Sequence, residues 1–567
     1  MSQTTQSISY SGDVERNEGL EPTNLKEVDP SEKPSDPTGS SITEKKPDIE
    51  YPPLRTVIVV MLGLYISMFL VALDRIIIST AVPKITDEFH SIGDIGWYGS
   101  AYVLASCATQ LLFGRLYSFY NGKFVFLGCI LLFEVGSALC GAAPNSIAFI
   151  IGRAIAGAGS AGVFSGVIVI MIPLAPLEKR PMYQGLLGAI FGVSSVIGPL
   201  VGGAFTKNAS LTWRWCFYIN LPIGAVSIFI VLFFLHVPPP RQASLTAKEK
   251  FFRMDPLGNL FFAPSIICLL LALQWGGSTY EWSNGRVIAL LVLFEVLLIL
   301  WIIIQGRSGD NATVPARVFL QRSIMAGFTF SNCIGGVMLA FSYYMPIWFQ
   351  AIDNVDALQS GIRTLPFVLA LVVASIIAGG CVSRFGYYAP FTIACACLMS
   401  IGTGLLTTLK VDSGSGAWIG FQFLTGFGMG FGMQQSGIAA QVVLAPEDVP
   451  IGASLMMFGQ SLGGSVFVCV AQNVFIQKLV TNLSKVLPSA SAEVLAGVGA
   501  TDLRQFVPED LLPTVLVQYN KAVTTTFYVG TAVACFSIVP ALAFEWKSVK
   551  GKRGPQAVDG EVATKEV

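Results

Sequence analysis

Long apolar runs recur along the chain from residue 57 onward, separated by mostly short polar connections. A helix needs about 20 predominantly apolar residues to cross a bilayer, so each run is a candidate membrane span. The runs at 257–274 and 417–443 are the least continuous of them. The pattern predicts an all-α integral membrane protein in which neighbouring helices run antiparallel. Fourteen candidate spans occur, approximately at 57–81, 97–113, 124–142, 147–173, 182–204, 217–236, 257–274, 286–304, 323–349, 364–382, 388–408, 417–443, 450–476 and 521–544.

Residues 1–54 do not share this pattern, because they are polar and rich in Pro and Ser. A segment of this composition buries too little apolar surface to fold, which predicts a disordered tail. It does not resemble a secretory signal peptide, since no apolar stretch follows a basic start. We therefore expect this tail to stay in the cytosol.

The overall composition agrees with a membrane protein. Of the 567 residues, 53% are hydrophobic and 12% are charged. Soluble domains carry about 25% charged residues, so the composition excludes a cytosolic enzyme and a nucleic-acid binder. The formal net charge is zero, which implies no strongly charged macromolecular partner.

Residue types for metal or covalent chemistry are scarce. His90 and His236 are the two histidines, and the 11 Cys form no CxxC pair. No Walker A pattern occurs, which excludes ATP hydrolysis through a P-loop. We therefore expect no metal site, no cofactor and no enzymatic activity. Any uphill transport would then draw its energy from an ion gradient.

Lys and Arg in the loops indicate the orientation of the spans. With the N-terminus inside, the inner loops hold twelve Lys and Arg, and the short outer loops hold six. This excess predicts that both termini are cytosolic and that the longest connection, roughly 477–520, lies outside. Sequons at Asn208 and Asn482 then fall outside and are candidate glycosylation sites, although short sequons also arise by chance.

Four charged residues stand out within predicted spans, where charges are costly and usually functional. Asp74 and Arg75 are in the outer part of the first span, Glu134 is late in the third, and Arg153 is early in the fourth. Arg153 is the strongest candidate, because Arg keeps its proton and must find a partner, a water-filled cavity or a titratable acid. Asp74 and Arg75 could instead form an interfacial pair that reaches water, and Glu134 could be a neutral structural acid.

Glycines are concentrated in the fifth span. Gly188 and Gly192 form one GxxxG pair, and Gly198 and Gly202 form another. Such pairs let helices approach closely. Pro199 follows directly after Gly198, which predicts a helix that bends and slides against a neighbour. Plain close packing is the alternative interpretation.

Several segments resemble signatures of the major facilitator superfamily, in the order and on the spans that the family shows. Residues 73–85 resemble the first-helix signature of its fourteen-span drug:proton antiporter branch, in the form common in fungi. Residues 152–159 resemble the fourth-helix motif, 192–203 the fifth-helix antiporter motif, and 213–224 the sequence that opens the sixth span. The resemblance covers about 55–545.

Two loops depart from the family pattern. Residues 114–123 occupy the place of the loop after the second span, but Ser118 stands where an acid is expected. Residues 379–386 occupy the corresponding place in the second half, again with Ser383 instead of the acid. The gating charge network that the family builds at this loop is therefore open to question in this chain.

The resemblance implies two six-helix bundles, at 55–237 and 323–545, joined by a linker with two extra spans at 238–322. Residues 546–567 would form a second cytosolic tail. The resemblance also implies that Arg153 acts in proton transfer with an acid, for which Asp74 and Glu134 are the candidates. The residues assigned to the conformational motif are Gly192, Gly198, Pro199, Gly202 and Gly203.

The resulting hypothesis is a monomeric, proton-coupled efflux pump of the plasma membrane that exports small lipophilic compounds. The resemblance implies that these are toxic secondary metabolites or antifungal drugs. The partners would be the substrate, protons and the lipid bilayer. Proton-coupled uptake of a nutrient or an iron chelate by the same fold is the alternative, because direction is inferred from motif resemblance alone.

Aromatic residues late in the ninth span are candidates for lining a substrate cavity, namely Tyr343, Tyr344 and Trp348. Aromatic side chains also gather at membrane interfaces. An interfacial belt is therefore the alternative for Trp348 and for Phe349 beside it.

Overall fold

The computed structural model describes residues 51–91, 94–208, 210–237, 246–277, 279–486 and 507–550. Most of the two predicted tails lies outside these residues. The described chain is built from helices, with short helical turns between the long ones. The long helices, labelled α1 to α15 in chain order, are Leu54–Phe89, Ile95–Phe119, Gly122–Ala142, Ser146–Leu174, Arg180–Lys207, Trp215–Phe234, Pro256–Trp275, Gly285–Ser308, Arg322–Ile352, Leu365–Phe385, Ala389–Leu406, Ser415–Gly432, Gln435–Val443, Val449–Leu483 and Leu512–Phe536.

Twelve of the described elements are long and apolar enough to cross a membrane. The remaining long elements are α2 and the pair α12–α13, in which a turn at Met433 and Gln434 interrupts one predicted span. Both lie packed among the twelve, α2 against α4 and α12 against α10 and α11. Each of the fourteen predicted spans therefore coincides with a long helix or helix pair, which confirms the all-α membrane fold.

The last predicted span begins earlier in the structure than hydropathy indicates. α14 continues to Leu483 and α15 already begins at Leu512, so both helices extend into the predicted outer connection. Hydropathy misses the first turns of α15 because Asn520 is polar yet buried. Its side chain accepts a hydrogen bond from Trp348 Nε1 (2.7 Å) and donates one to the Leu409 carbonyl (2.9 Å). These bonds offset the cost of burying the amide.

Buried apolar side chains form separate clusters along the chain. One cluster is built from α1 to α6, and another from α9 to α15. A third joins α2, α7 and α14, so the first of the two extra spans packs against both halves. α8 packs on α7 and leaves most of its apolar side chains exposed, as expected for a helix that faces lipid. The domain bounds drawn from the sequence stay a prediction.

Glycines allow α4 to lie directly against its neighbours. A Cβ atom at Gly157 would overlap the Tyr102 main chain of α2, and one at Gly136 of α3 would overlap the Ala156 main chain. Main chains that approach this closely leave no room for side chains between them. Arg153, one turn before Gly157, is thereby brought into the middle of the first six helices.

Candidate functional site

A buried ion pair lies at the centre of the first six helices. Arg153 Nη1 on α4 is 2.6 Å from Asp74 Oδ2 on α1, and the two side chains are 1% and 0% exposed. Arg153 Nε also donates a hydrogen bond to the Tyr98 carbonyl at 3.0 Å. Because a buried charge is tolerated only when it is paired and hydrogen-bonded, each member depends on the other.

Asn220 joins this pair to a third helix. It is the residue that follows a short turn at the start of α6, and its Nδ2 atom donates to Asp74 Oδ1 (3.3 Å) and to Ser137 Oγ on α3 (3.1 Å). Asn220 is not among the functional residues predicted from the sequence. The available signal was its position, as a polar residue in the segment 213–224 that resembles the start of the sixth span.

Aromatic rings cover the Arg153 guanidinium. The Tyr102 ring centroid lies 4.5 Å from Arg153 Cζ, and that of Phe217 lies 5.9 Å away. The ring faces attract the cation and contribute little water-accessible surface. The Asp74–Arg153 pair is therefore sealed from solvent on these sides.

Glu134 on α3 is buried close to the pair but makes no hydrogen bond. Its side chain is 6% exposed, and neither carboxyl oxygen has a partner among the described residues. Its carboxyl group occupies the space beside Gly224 of α6, where a Cβ atom would collide with Oε1. Glu134 lies within electrostatic reach of Asp74, so the sequence-predicted residues Asp74, Glu134 and Arg153 form one cluster, although they are on three helices.

Arg75 does not belong to this cluster. The adjacent Asp74 pairs with Arg153, and Arg75 forms no ion pair or side-chain hydrogen bond with any described residue. Its side chain is half-buried. The interfacial Asp74–Arg75 pair considered from the sequence is not formed.

The glycine motif of α5 packs against α1, the helix that carries Asp74. A Cβ atom at Gly198 would lie 2.9 Å from the Ile76 side chain, and one at Gly202 would collide with Thr80 Oγ1. Gly203, in contrast, faces open space. α5 continues as one helix through Pro199. The Gly-Pro motif therefore lies at a contact within the first half of the chain.

Earlier glycines of α5 contact the second half of the chain instead. A Cβ atom at Gly185 would lie 2.6 Å from the Ser375 carbonyl of α10, and one at Gly192 would collide with Val372. In the reverse direction, a Cβ atom at Gly379 would lie 2.5 Å from the Pro181 carbonyl. The halves are thus in main-chain contact at the end of the bundle that the loop charges predict to be cytosolic.

Substituting Gly379 with Ala is expected to keep this end from closing fully. Overpacking costs about 1–3 kcal/mol, which shifts a two-state equilibrium by about 5- to 150-fold. The measurement is labelling of a Gln441→Cys reporter by an impermeant thiol reagent from the predicted cytosolic side, in a chain without other Cys. Gly380→Ala is the matched control, since nothing lies within 4 Å of a Cβ atom there. Equal labelling in both variants would contradict a closing contact at Gly379.

A polar network lies at the same end, near the loop whose expected acid is replaced by Ser118. Ser118 Oγ donates to the Gly114 carbonyl at 3.0 Å, and Arg115 Nη2 donates to the Asp310 carbonyl at 2.9 Å. Arg317 donates two bonds to Asp448, at 2.5 and 3.0 Å, and one to Asp310 at 2.6 Å. These bonds, led by those to Asp448, raise the pKa of Arg317 above its ordinary value. The carboxylate partners were not predicted, because they lie far from the loop in sequence.

The aromatic candidates of α9 take different positions. Tyr343 is 58% exposed, whereas Tyr344 is buried beside Phe475. Trp348 is 0% exposed and donates to Asn520, and Phe349 is equally buried. Trp348 and Phe349 are core residues, and neither is placed in an interfacial belt.

The two sequons also differ in their surroundings. Asn208 follows α5 as an exposed residue, and its side chain accepts hydrogen bonds from the Ser210 and Leu211 main chain. Asn482 is in the last turn of α14 and donates a 3.4 Å hydrogen bond to the Gln518 carbonyl. Glycosylation of either residue stays a prediction. In the described part of the chain, no group of three or more His, Cys, Asp or Glu is placed to hold a metal ion.

The sequence matches a known family over most of its length. Residues 64–468 match the Major Facilitator Superfamily. The chain is 53% identical to the MFS-type efflux pump MFS1 of Arthroderma benhamiae, covering 87% of this chain and 92% of that protein. It is 50% identical to the rubrofusarin-specific efflux pump aurT of Gibberella zeae, covering 89% and 92%. It is also 50% identical to the efflux pump aflT of Aspergillus parasiticus, covering 87% and 96%.

Solved structures share the fold at low sequence identity. A double tryptophan mutant of XylE superimposes with a TM-score of 0.55, at 12% identity, covering 88% of this chain and 97% of that one. A bacterial homologue of the human lysosomal transporter Spinster, solved inward-facing and unoccupied, superimposes with a TM-score of 0.53 at 14% identity. The match covers 89% of this chain and 100% of that one. At these identities the likeness shows the fold alone.

Proposed function

The chain belongs to the major facilitator superfamily, and on that premise we propose that it is a proton-coupled pump that exports small lipophilic compounds. It is a transporter rather than an enzyme, and several of its relatives are named efflux pumps. The observation that supports proton coupling is the buried carboxyl group of Glu134, which has no hydrogen-bond partner among the described residues and lies close to the Asp74–Arg153 pair.

Glu134 is the proposed proton carrier. A buried carboxylate without a hydrogen bond or counter-charge is costly, whereas the neutral acid is tolerated far better. Both carboxyl oxygens of Glu134 lack partners in the part of the chain that the structure describes, so its surroundings suit the protonated side chain. Asp74 differs, because Arg153 and Asn220 both donate hydrogen bonds to its carboxylate. This conformation would therefore hold one proton on Glu134 and a charged pair beside it.

Proton release would follow from a change of partner. If α4 moves against α1 and α3, Arg153 can turn from Asp74 toward Glu134, which would then ionise as Asp74 takes up a proton. Alternating access in this superfamily is a rocking of two halves around a central site. α5 contacts both α1 and α10, so it is placed to couple the rocking to the charge cluster.

The direction, substrate and location belong to the same proposal. The relatives' names favour export over uptake of a nutrient or an iron chelate, and aurT is named for rubrofusarin. We propose a small lipophilic secondary metabolite, an antifungal drug, or both, as cargo. The pump would act as a monomer in the plasma membrane with both termini in the cytosol, as the loop charges predict.

Transport into inside-out vesicles tests the proposal. An acidic vesicle interior should drive fluorescein or Nile red into vesicles that carry the protein, and a protonophore should abolish this accumulation. A proton symporter working in uptake would instead move substrate outward with the protons. Accumulation that does not depend on the pH gradient would contradict proton coupling, and accumulation only with an acidic exterior would favour uptake.

A further inference from the structure

Arg75 occupies the side of α1 that faces away from both of its main neighbours. Ile76 and Thr80 meet α5 at the glycine contacts, while Ser67 and Asp74 meet α6. Successive residues of a helix are about 100° apart, so Arg75 lies on neither face. α1 makes few contacts with α2 on its remaining side. Arg75 therefore lies on the side of α1 that is turned toward Tyr102 and Cys107 of α2.

On this face of α1, side chains before Arg75 in sequence are buried, and exposure increases after it. Met68 and Ala72, which precede Arg75 on the same face, are buried. Arg75 itself is half-buried, and Ser79, one turn further on, is exposed. Exposure on this face of α1 thus increases from Arg75 toward the end of the bundle that the loop charges predict to be extracellular.

No carboxylate among the described residues pairs with Arg75, because the adjacent Asp74 is already paired with Arg153. Tyr102 and Cys107 of α2 lie within electrostatic reach of Arg75. α2, which carries Cys107, packs against α14, so Arg75 lies near a contact between the two halves.

Arg75 also leaves an unbalanced charge. In the described helices α1, α2, α4 and α14, which lie around Arg75, the charged residues far from helix ends are Asp74, Arg75 and Arg153. Asp74 and Arg153 neutralise each other, which leaves one net positive charge. A charged side chain within the membrane is costly and is kept where it serves a pathway or a ligand. The planar guanidinium matches a carboxylate or another flat oxyanion in two-point hydrogen bonding.

We propose that Arg75 is a substrate-binding residue and that the cargo class is an organic anion, a lipophilic compound bearing a carboxylate or an ionised phenol. This inference rests on the proposed transport function and deepens it. The apolar helix faces around Arg75 would hold the lipophilic part, while Arg75 would bind the anionic group. An alternative role, in which Arg75 replaces Arg153 as partner of Asp74 in another conformation, predicts no preference for substrate charge.

Two dyes of the same xanthene core and opposite charge separate these roles. Fluorescein is anionic at neutral pH and rhodamine 123 is cationic. Export of both is measured from yeast cells that express the full chain, with each dye extracted and quantified at one fixed pH. The variants are Arg75→Gln, Arg75→Lys and Arg75→Glu. Arg286→Gln is the matched control, because Arg286 is exposed at the start of α8 and contacts Tyr280.

The wild type is expected to export fluorescein faster than rhodamine 123. Arg75→Gln should lower fluorescein export about tenfold, the effect of losing a hydrogen bond to a charged group. Arg75→Lys should retain part of it, and Arg75→Glu should reverse the preference toward rhodamine 123. Arg286→Gln should behave as wild type.

Equal loss of both dyes in Arg75→Gln, at normal membrane levels, would overturn the proposal and favour the role as partner of Asp74. A wild type without preference for fluorescein would overturn it as well. Failure of the proposed proton coupling is distinguishable, because export would then persist with a protonophore while the ratio of the two dyes still reports the charge preference.

Discussion

Replacing Arg153 with Ala is expected to abolish transport and to lower the amount of folded protein in the membrane. The change leaves Asp74 buried without its counter-charge and removes the hydrogen bond to the Tyr98 carbonyl. Breaking a buried ion pair from one side costs about 3–5 kcal/mol. The measurement combines pH-driven dye accumulation in vesicles with the yield of monodisperse protein after solubilisation.

Two further variants separate folding from function. The double change Asp74→Asn with Arg153→Gln removes both charges, so it should restore much of the yield while transport stays absent. Arg153→Lys should recover transport only in part, since an ammonium cannot bond Asp74 and the Tyr98 carbonyl with one planar fork. Pronounced proton-driven transport by the uncharged double variant would show that the ion pair is purely structural.

Replacing Glu134 with Gln is expected to uncouple the pump. Gln has nearly the same shape as a protonated Glu but cannot release a proton. Because the Glu134 carboxyl already lies without partners beside Gly224, the neutral amide should be accommodated. Accumulation driven by a pH gradient should fall about tenfold or more, the scale on which a positioned proton-transfer group acts. Exchange of labelled for unlabelled dye without a gradient should continue.

Glu295→Gln is the matched control for this substitution, because Glu295 is an exposed acid on the peripheral helix α8. It should leave both assays unchanged. If Glu134→Gln retains full proton-driven transport while Asp74→Asn loses it, the proton is carried by Asp74. Loss of exchange together with proton drive would instead assign Glu134 to substrate binding or to packing.

The charge cluster gives Asn220 a positioning role in this scheme. Its amide bridges Asp74 on α1 and Ser137 on α3, so it holds the acceptor of Arg153 at a fixed distance from the helix that carries Glu134. If Arg153 changed its partner, the two hydrogen bonds of the Asn220 amide would have to break, or Asn220 would have to move together with Asp74. Asn220 therefore belongs to the same unit as the three charged residues, although it carries no charge.

The sequence alone was sufficient to predict where the membrane-spanning helices lie along the chain. Apolar runs long enough to cross a bilayer leave a signal in hydropathy, because lipid excludes unpaired polar backbone and admits only helices of that length. All fourteen predicted spans correspond to helices, including the weak run at 417–443. The intramembrane charges Asp74, Glu134 and Arg153 were also visible, since such residues stand out against apolar neighbours. Ordered motifs were enough to identify the family.

Only the tertiary structure decided which of these residues meet. Asp74 and Arg75 are adjacent in sequence but about 100° apart around α1. Asp74 therefore pairs with Arg153, while Arg75 is turned toward Tyr102 and Cys107 of α2. Trp348 looks like a cavity or interface residue in the sequence, yet it is a core residue because Asn520, far along the chain, accepts its hydrogen bond. Glu134 lies unpaired because Gly224 of another helix leaves it room. Hydropathy records the preference of each residue for lipid or water, whereas partners depend on how separate helices are rotated and how closely glycines let them approach.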